Sequence, residues 1–227
     1  MKCGNLTVIG TSHIAEDSVS RVREAILSEN TAIVAVELDH ARLHALLSEE
    51  KPSLSFAMLR VMGITGFVFF AIAGFLQRKL GKMIGAVPGQ EMKTAAQIAQ
   101  ENRIRVALID QPLNITMHNL SRISIWEKLK LARDFVLGVT GIETEKLQFD
   151  LTKTPDSKFV AMAMRKLRGR YPGLYKALVA DRNEYMARML ARLMKLEPQS
   201  RIVAVVGAGH EREIVNIIKA LPNKKAD

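Results

Sequence analysis

Two short apolar runs near opposite ends of the chain finish in the same pattern, Gly-x-x-His, and this pairing constrains the fold more than any other feature. Leu6, Val8 and Ile9 lead into Gly10-Thr11-Ser12-His13, and residues 202–206 lead into Gly207-Ala208-Gly209-His210. Each run reads as a buried strand whose glycine lets the backbone turn sharply and present an imidazole at the strand's carboxyl end. In an open α/β sheet that edge is where ligands bind. If both strands belong to one parallel sheet, His13 and His210 face a single cleft, and two imidazoles there suit a metal ion or a proton-transfer site.

The stretches between repeat the alternation of strand and helix. Ile14, Val19, Val22 and Ile26 recur at helical spacing up to Asn30, with Glu16 and Asp17 in the first turn, where the helix dipole favours acids. Residues 32–36 form a second strand ending at Glu37, followed by a helix over 40–49. A third run, 104–109, ends at Asp110 and is preceded by a helix carrying Ala95, Ile98 and Ala99. Helical periodicity covers 112–137 and 158–195, broken near Gly138, Gly141 and Pro172, and a last helix follows over 211–221. The pattern predicts an α/β fold with a central, mostly parallel sheet flanked by helices, in a single domain over residues 1–227 with a helical insertion or lid. Four strand ends then carry His13, Glu37, Asp110 and His210 toward one edge.

A hydrophobic content of 48% in 227 residues is ample for a core. Cys3 is the single cysteine, which excludes intramolecular disulfides and fits a reducing compartment. The opening residues lead straight into a strand without an apolar leader, so a cytoplasmic location is expected. A formal charge of +10 raises nucleic acid, anionic lipid and acidic substrates as partners. Between Arg165 and Arg201 ten Lys and Arg face only Asp181, Glu184 and Glu197. The aromatics there, Tyr171, Tyr175 and Tyr185, make no stacking platform, so a solvated helical face is favoured and nucleic acid disfavoured. Residues 61–76 carry no charge and include Phe67, Phe69, Phe70 and Phe75. The run is shorter than the ~20 residues needed to cross a bilayer. It is expected to be a buried helix, a peripheral membrane contact or a homo-oligomer contact, and Arg78, Lys79 and Lys82 beside it suit anionic headgroups.

Histidine with carboxylate is what a hydrolytic metal site requires, because neutral imidazole and ionised carboxylate bind a divalent cation while an open position holds water. Simpler roles stand beside this one. His210 with Glu211 and Glu213 belongs equally to a helix N-terminus, Asp39 can cap the helix after Glu37, and Asp110 can form a cap or turn with Pro112. Glu91, in Pro88-Gly89-Gln90-Glu91-Met92, is either a first-turn acid or a further group aimed at the cleft. Arg182, if turned inward, can hold an anionic group or a developing oxyanion. His40, His44 and His118 have no comparable setting and read as surface or packing residues.

With these residues in hand, the chain resembles the TraB/PrgY (pheromone-shutdown) family, especially its archaeal members. The resemblance runs from Ile9-Gly10-Thr11-Ser12-His13 through Val36-Glu37-Leu38-Asp39-His40-Ala41-Arg42, Pro88-Gly89-Gln90-Glu91-Met92, Leu108-Ile109-Asp110 and Asp181-Arg182-Asn183-Glu184-Tyr185-Met186 to Val205-Val206-Gly207-Ala208-Gly209-His210. It covers almost the whole chain in order. It departs from the family pattern at Gln111-Pro112, where an arginine would follow Asp110, and at Asp181 and Asn183, in place of Glu and Asp. The resemblance implies a relation to Tiki proteins, which look like metal-dependent peptidases built on two Gly-x-x-His motifs and a glutamate. On that basis His13 and His210 carry over as metal ligands. Glu37 and Glu91 match family acids, one to bind metal and one to act as general base. The pattern does not decide between them, and the working assignment groups Glu37 with the ligands and Glu91 with Arg182 as catalytic. The expectation is a metal-dependent hydrolase that uses zinc, manganese or cobalt and acts on a peptide or protein substrate. The alternative is a non-catalytic peptide-binding or regulatory protein associated with a membrane partner.

Overall fold

Alternating β-branched and small residues build a sheet that is buried on both sides. The computed structural model describes residues 1–11, 16–27, 30–47, 90–140 and 157–221. The expectations for His13, for Pro88 and Gly89, and for the apolar run at 61–76 lie outside the described residues. Five strands pair in the order β1-β2-β5-β3-β4. They are β1 (Lys2–Cys3), β2 (Leu6–Thr11), β3 (Thr31–Val36), β4 (Arg105–Leu108) and β5 (Arg201–Gly207). β2, β5, β3 and β4 run parallel, and only the short β1 is antiparallel to its neighbour. The architecture is therefore α/β with a mostly parallel sheet, as the sequence pattern predicts, with β1 as an addition that two residues are too few to announce.

The chain divides into two compact units, the first comprising Met1–Pro52, Ala86–Leu113 and Val179–Asp227, the second Ser53–Gly85 and Asn114–Leu178. The first holds the sheet. Side chains alternate across it with the period of two that a pleated strand imposes. Leu6, Val8, Ile33, Ala35, Ile202, Ala204 and Val206 face one side, where Met186, Ala187 and Leu190 of α8 (Asp181–Leu196) and Ile214, Val215 and Ile218 of α9 (Ala208–Ala220) cover them. Ile9, Val34, Val36, Val203 and Val205 face the other, against Val22 and Ile26 of α1 (Glu16–Leu27) and Met92, Ala95, Ile98 and Ala99 of α3 (Gln90–Glu101). Leu43 and Leu46 of α2 (His40–Leu47) pack on this second side.

This layering follows from the strand order. The steps from β2 to β3 and from β3 to β4 travel one way across the sheet, with α1 and α3 on one face. The return from β4 to β5 travels back, and α8 lies on the opposite face, as crossovers of a single hand require. At its carboxyl end β5 exits toward one layer, while its neighbours β2 and β3 exit toward the other. In open α/β sheets such a reversal marks the edge at which ligands bind.

The described part of the second unit is helical, with α4 (Leu113–Ser121, its first residue in unit one), α5 (Ile125–Thr140), α6 (Ser157–Arg170) and α7 (Pro172–Tyr175). The periodicity expected to run through 112–137 is interrupted at 122–124. Arg122 and Ile123 N–H groups donate to Asn119 and Leu120 carbonyls at 3.2 and 3.3 Å, the tight bonding of a helix end, and a new helix starts after Ser124. The helix then runs through Gly138 and ends at Thr140, beside the Gly141 where the pattern predicts a break. Pro172 does open a helix, at a position where its missing N–H costs nothing. Glu127 accepts the Gly173 and Leu174 N–H groups there at 3.0 and 2.8 Å, anchoring that N-terminus. Among the described residues no helix is long and apolar enough to cross a membrane.

Candidate functional site

The β3–β4 ladder extends past the strands and sets two carboxylates side by side. The Ile109 N–H donates to the Val36 carbonyl at 3.1 Å, and the Asp110 N–H to that of Leu38 at 3.3 Å. On the other side the Glu37 N–H donates to the Val205 carbonyl at 3.1 Å. Glu37 is thus held between β5 and β4 at the carboxyl edge of the sheet. Its Oε2 accepts the Gly207 N–H at 2.7 Å, and its Oε1 accepts a hydrogen bond from Arg182 Nη2.

Arg182, in the first turn of α8, is turned inward. Its Nε donates to Asp110 Oδ1 at 3.0 Å and its Nη2 to Asp110 Oδ2 at 2.8 Å, so one planar guanidinium serves both acids. Arg42 Nη1 donates to Asp110 Oδ2 as well, and the Gln111 N–H to Oδ1 at 2.8 Å. Burial acts to raise the Asp110 pKa, but the hydrogen bonds and charge of Arg182, the charge of Arg42 and the Gln111 N–H outweigh it and hold the carboxyl below its usual range. Burial disfavours the Arg182 cation, and the Glu37 and Asp110 anions more than restore it. Asp39 acts as the cap expected of it. It accepts the Arg42 N–H at 2.7 Å and, with its second oxygen, the Leu113 N–H at 2.8 Å, tying two helix starts together.

His210 lies in the first turn of α9, which begins three residues earlier than the periodicity suggests. Its Nε2 stands 3.4 Å from Glu37 Oε1, and its Nδ1 is 2.5 Å from Asn183 Oδ1. Burial, offset in part by the Glu37 anion, pushes the imidazole pKa down and so favours its neutral form. Asn183 in turn donates from Nδ2 to Glu213 Oε2 at 2.9 Å.

Of the two Gly-x-x-His glycines, Gly10 is required for space, whereas Gly207 is held neither by its backbone conformation nor by a close neighbour. Gly207 has φ −61° and ψ 145°, values open to any residue. A Cβ there would lie 3.4 Å from Glu37 Oε2 and 3.5 Å from His210 Cδ2, ordinary contact distances. A Cβ on Gly10 would stand 2.5 Å from Glu211 Oε2 and 3.2 Å from Ala208 Cα. The register sets Gly10 opposite Val206 and Thr11 opposite Gly207, so the carboxyl ends of β2 and β5 lie side by side.

Of the residues singled out from sequence, Glu37, Asp110, Arg182 and His210 come together. Glu91 is in the first turn of α3, buried at 5% exposure. His40, His44 and His118 are exposed, as are most of the basic residues after Arg165. Among the described residues no group of three or more His, Cys, Asp and Glu side chains could hold a metal ion. Asn183, Glu213 and Arg42 stand in the sequence only as members of motifs or of a helix start, with no site role assigned to them, and the structure brings all three to the site. A signal for Asn183 was present: it falls with Met186, Ala187 and Leu190 on the buried stripe of α8, and a polar residue there needs a partner.

Comparison with known proteins places the chain in a family. An uncharacterized protein of Methanocaldococcus jannaschii is 32% identical over 227 residues, covering 96% of this chain and 54% of that protein. TraB domain-containing proteins of Bos taurus and Mus musculus are each 25% identical over 228 residues, covering 89% of this chain and 59% and 60% of those proteins. The chain thus spans little more than half the length of these relatives. The family model described as TraB/PrgY/gumN matches residues 2–226, and the chain belongs to that family.

Proposed function

We propose that this chain is a metal-dependent hydrolase acting on a peptide or protein carbonyl, with His210, Glu37 and His13 holding a divalent ion of zinc, manganese or cobalt. The observation that carries the reading is the approach of His210 Nε2 to Glu37 Oε1 at 3.4 Å. With the imidazole neutral and its Nδ1 facing an acceptor, Nε2 presents a lone pair to a carboxylate oxygen. Two Lewis bases so close at this buried edge of the sheet fit a cation between them. Glu37 has capacity left, since a carboxylate offers about four lone-pair sites and Arg182 and Gly207 take two. A divalent ion held here would act as a Lewis acid and lower the pKa of a bound water.

In this reading Arg182 orients Glu37 and Asp110, and Glu91 supplies the carboxylate that takes a proton from water. The test is metal content and calorimetric affinity of the wild type beside His13→Ala, His210→Ala and Glu37→Gln, followed by a peptide-cleavage screen. One ion per chain, lost in each variant, with cleavage lost alongside it, is expected. A folded wild type that binds none of the three ions overturns the reading and leaves the non-catalytic capture of peptides.

A further inference from the structure

We propose that Asn183, oriented by Glu213, is a positioning residue that holds His210 in the Nδ1–H form and thereby keeps its Nε2 lone pair directed at Glu37. The Glu213 carboxylate can only accept, so the Asn183 atom 2.9 Å from it is the amide nitrogen. The amide oxygen is then the atom 2.5 Å from His210 Nδ1. An oxygen with no hydrogen of its own demands a donor, so Nδ1 carries the proton. Asn183 is 0% exposed, and its one-turn relation to Met186 and Ala187 leaves its amide little freedom to swing away. Glu213 and His210 are spaced i, i+3 on α9, so both partners of the amide come from one rigid helix. Reversal of the amide would set its NH2 group against His210 Nδ1, favour the Nε2–H form and point a proton at Glu37.

The role in metal binding rests on the proposed function, but the tautomer does not, and the experiment separates them. Long-range nitrogen–proton correlation spectra of metal-free protein at pH 8 report which imidazole nitrogen carries hydrogen, with the His210 signal identified by its absence in His210→Ala. Wild type is expected to show Nδ1–H. Asn183→Ala shifts the population toward Nε2–H, Asn183→Asp restores Nδ1–H because it still accepts, and Glu213→Ala weakens the preference without opening the core. Zinc affinity falls ten- to a hundredfold in Asn183→Ala and recovers in Asn183→Asp. A retained Nδ1–H form in both Asn183→Ala and Glu213→Ala overturns the proposal, whatever the metal result. If Asn183→Ala does not fold, Glu213→Ala alone decides the matter. A tautomer that shifts as expected in a protein that binds no metal removes the hydrolase reading and leaves this one standing.

Discussion

A carboxyl buried beneath two guanidinium groups is stable there only as an anion, and Asp110 occupies that position. Its folded pKa lies below the unfolded value of about 3.9. The stabilisation is therefore complete above that value and is lost as pH falls through the folded pKa. Asp110→Asn is expected to be less stable than wild type at pH 7, with the gap between their urea midpoints narrowing as pH drops below about 4. A gap independent of pH between 3 and 7 would contradict the ionic account. Arg182→Leu leaves Glu37 without its cation and Asp110 with Arg42 alone, and should cost about 3 kcal/mol or more in chemical denaturation, the penalty of an unpaired buried charge. Arg182→Lys should recover only part of it, because an ammonium cannot present the fork that Nε and Nη2 offer to two acids. Sequence brought out Glu37, Asp110 and Arg182 individually. Their sharing of one guanidinium was not legible, since no spacing relates residues drawn from three distant segments.

Elements differ in how far their own sequence defines them. Strands β2, β3, β4 and β5 fall within a residue or so of the apolar runs that announce them, because a strand buried on both faces needs an unbroken apolar stretch. Helix ends were less legible. α9 starts at Ala208 because the backbone can enter a helix directly after Gly207, and that places His210 inside its first turn rather than in a loop. The glycines before the two histidines make a contrast that can be tested. Gly10→Ala pushes a methyl toward Ala208 backbone at 3.2 Å and a carboxylate oxygen at 2.5 Å, and should cost about 1–3 kcal/mol as the junction of β2 and α9 shifts. Gly207→Ala meets only ordinary contacts in a conformation alanine accepts, and should change stability by less than about 1 kcal/mol. Thermal melts of the pair check this, and equal losses would mean that the conformational role of glycine had been underrated.

For the whole molecule, the decisive fact is that β5, last in sequence, lies in the middle of the sheet between β2 and β3. Its residues Ile202, Ala204, Val205 and Val206 are fully buried. Amide hydrogen exchange should find Val203, Ala204 and Val205 opening only with global unfolding, while Lys2 and Cys3 on the two-residue edge strand exchange orders of magnitude faster. Comparable rates in β1 and β5 would show that the sheet does not unfold as one unit. The sequence by itself determined the alternation of strand and helix, the apolar faces, the family, and which strand ends carry histidine or acid, because periodicity and motif are properties of neighbouring residues. Only the tertiary structure decided that the chain's last strand enters between its first two parallel ones. Through that insertion Gly207 and His210 meet Glu37, Arg182 bridges Glu37 to Asp110, and Asn183 meets His210. Those meetings depend on strand order and helix packing, which arise from pairing across the whole chain and leave no mark in the local pattern.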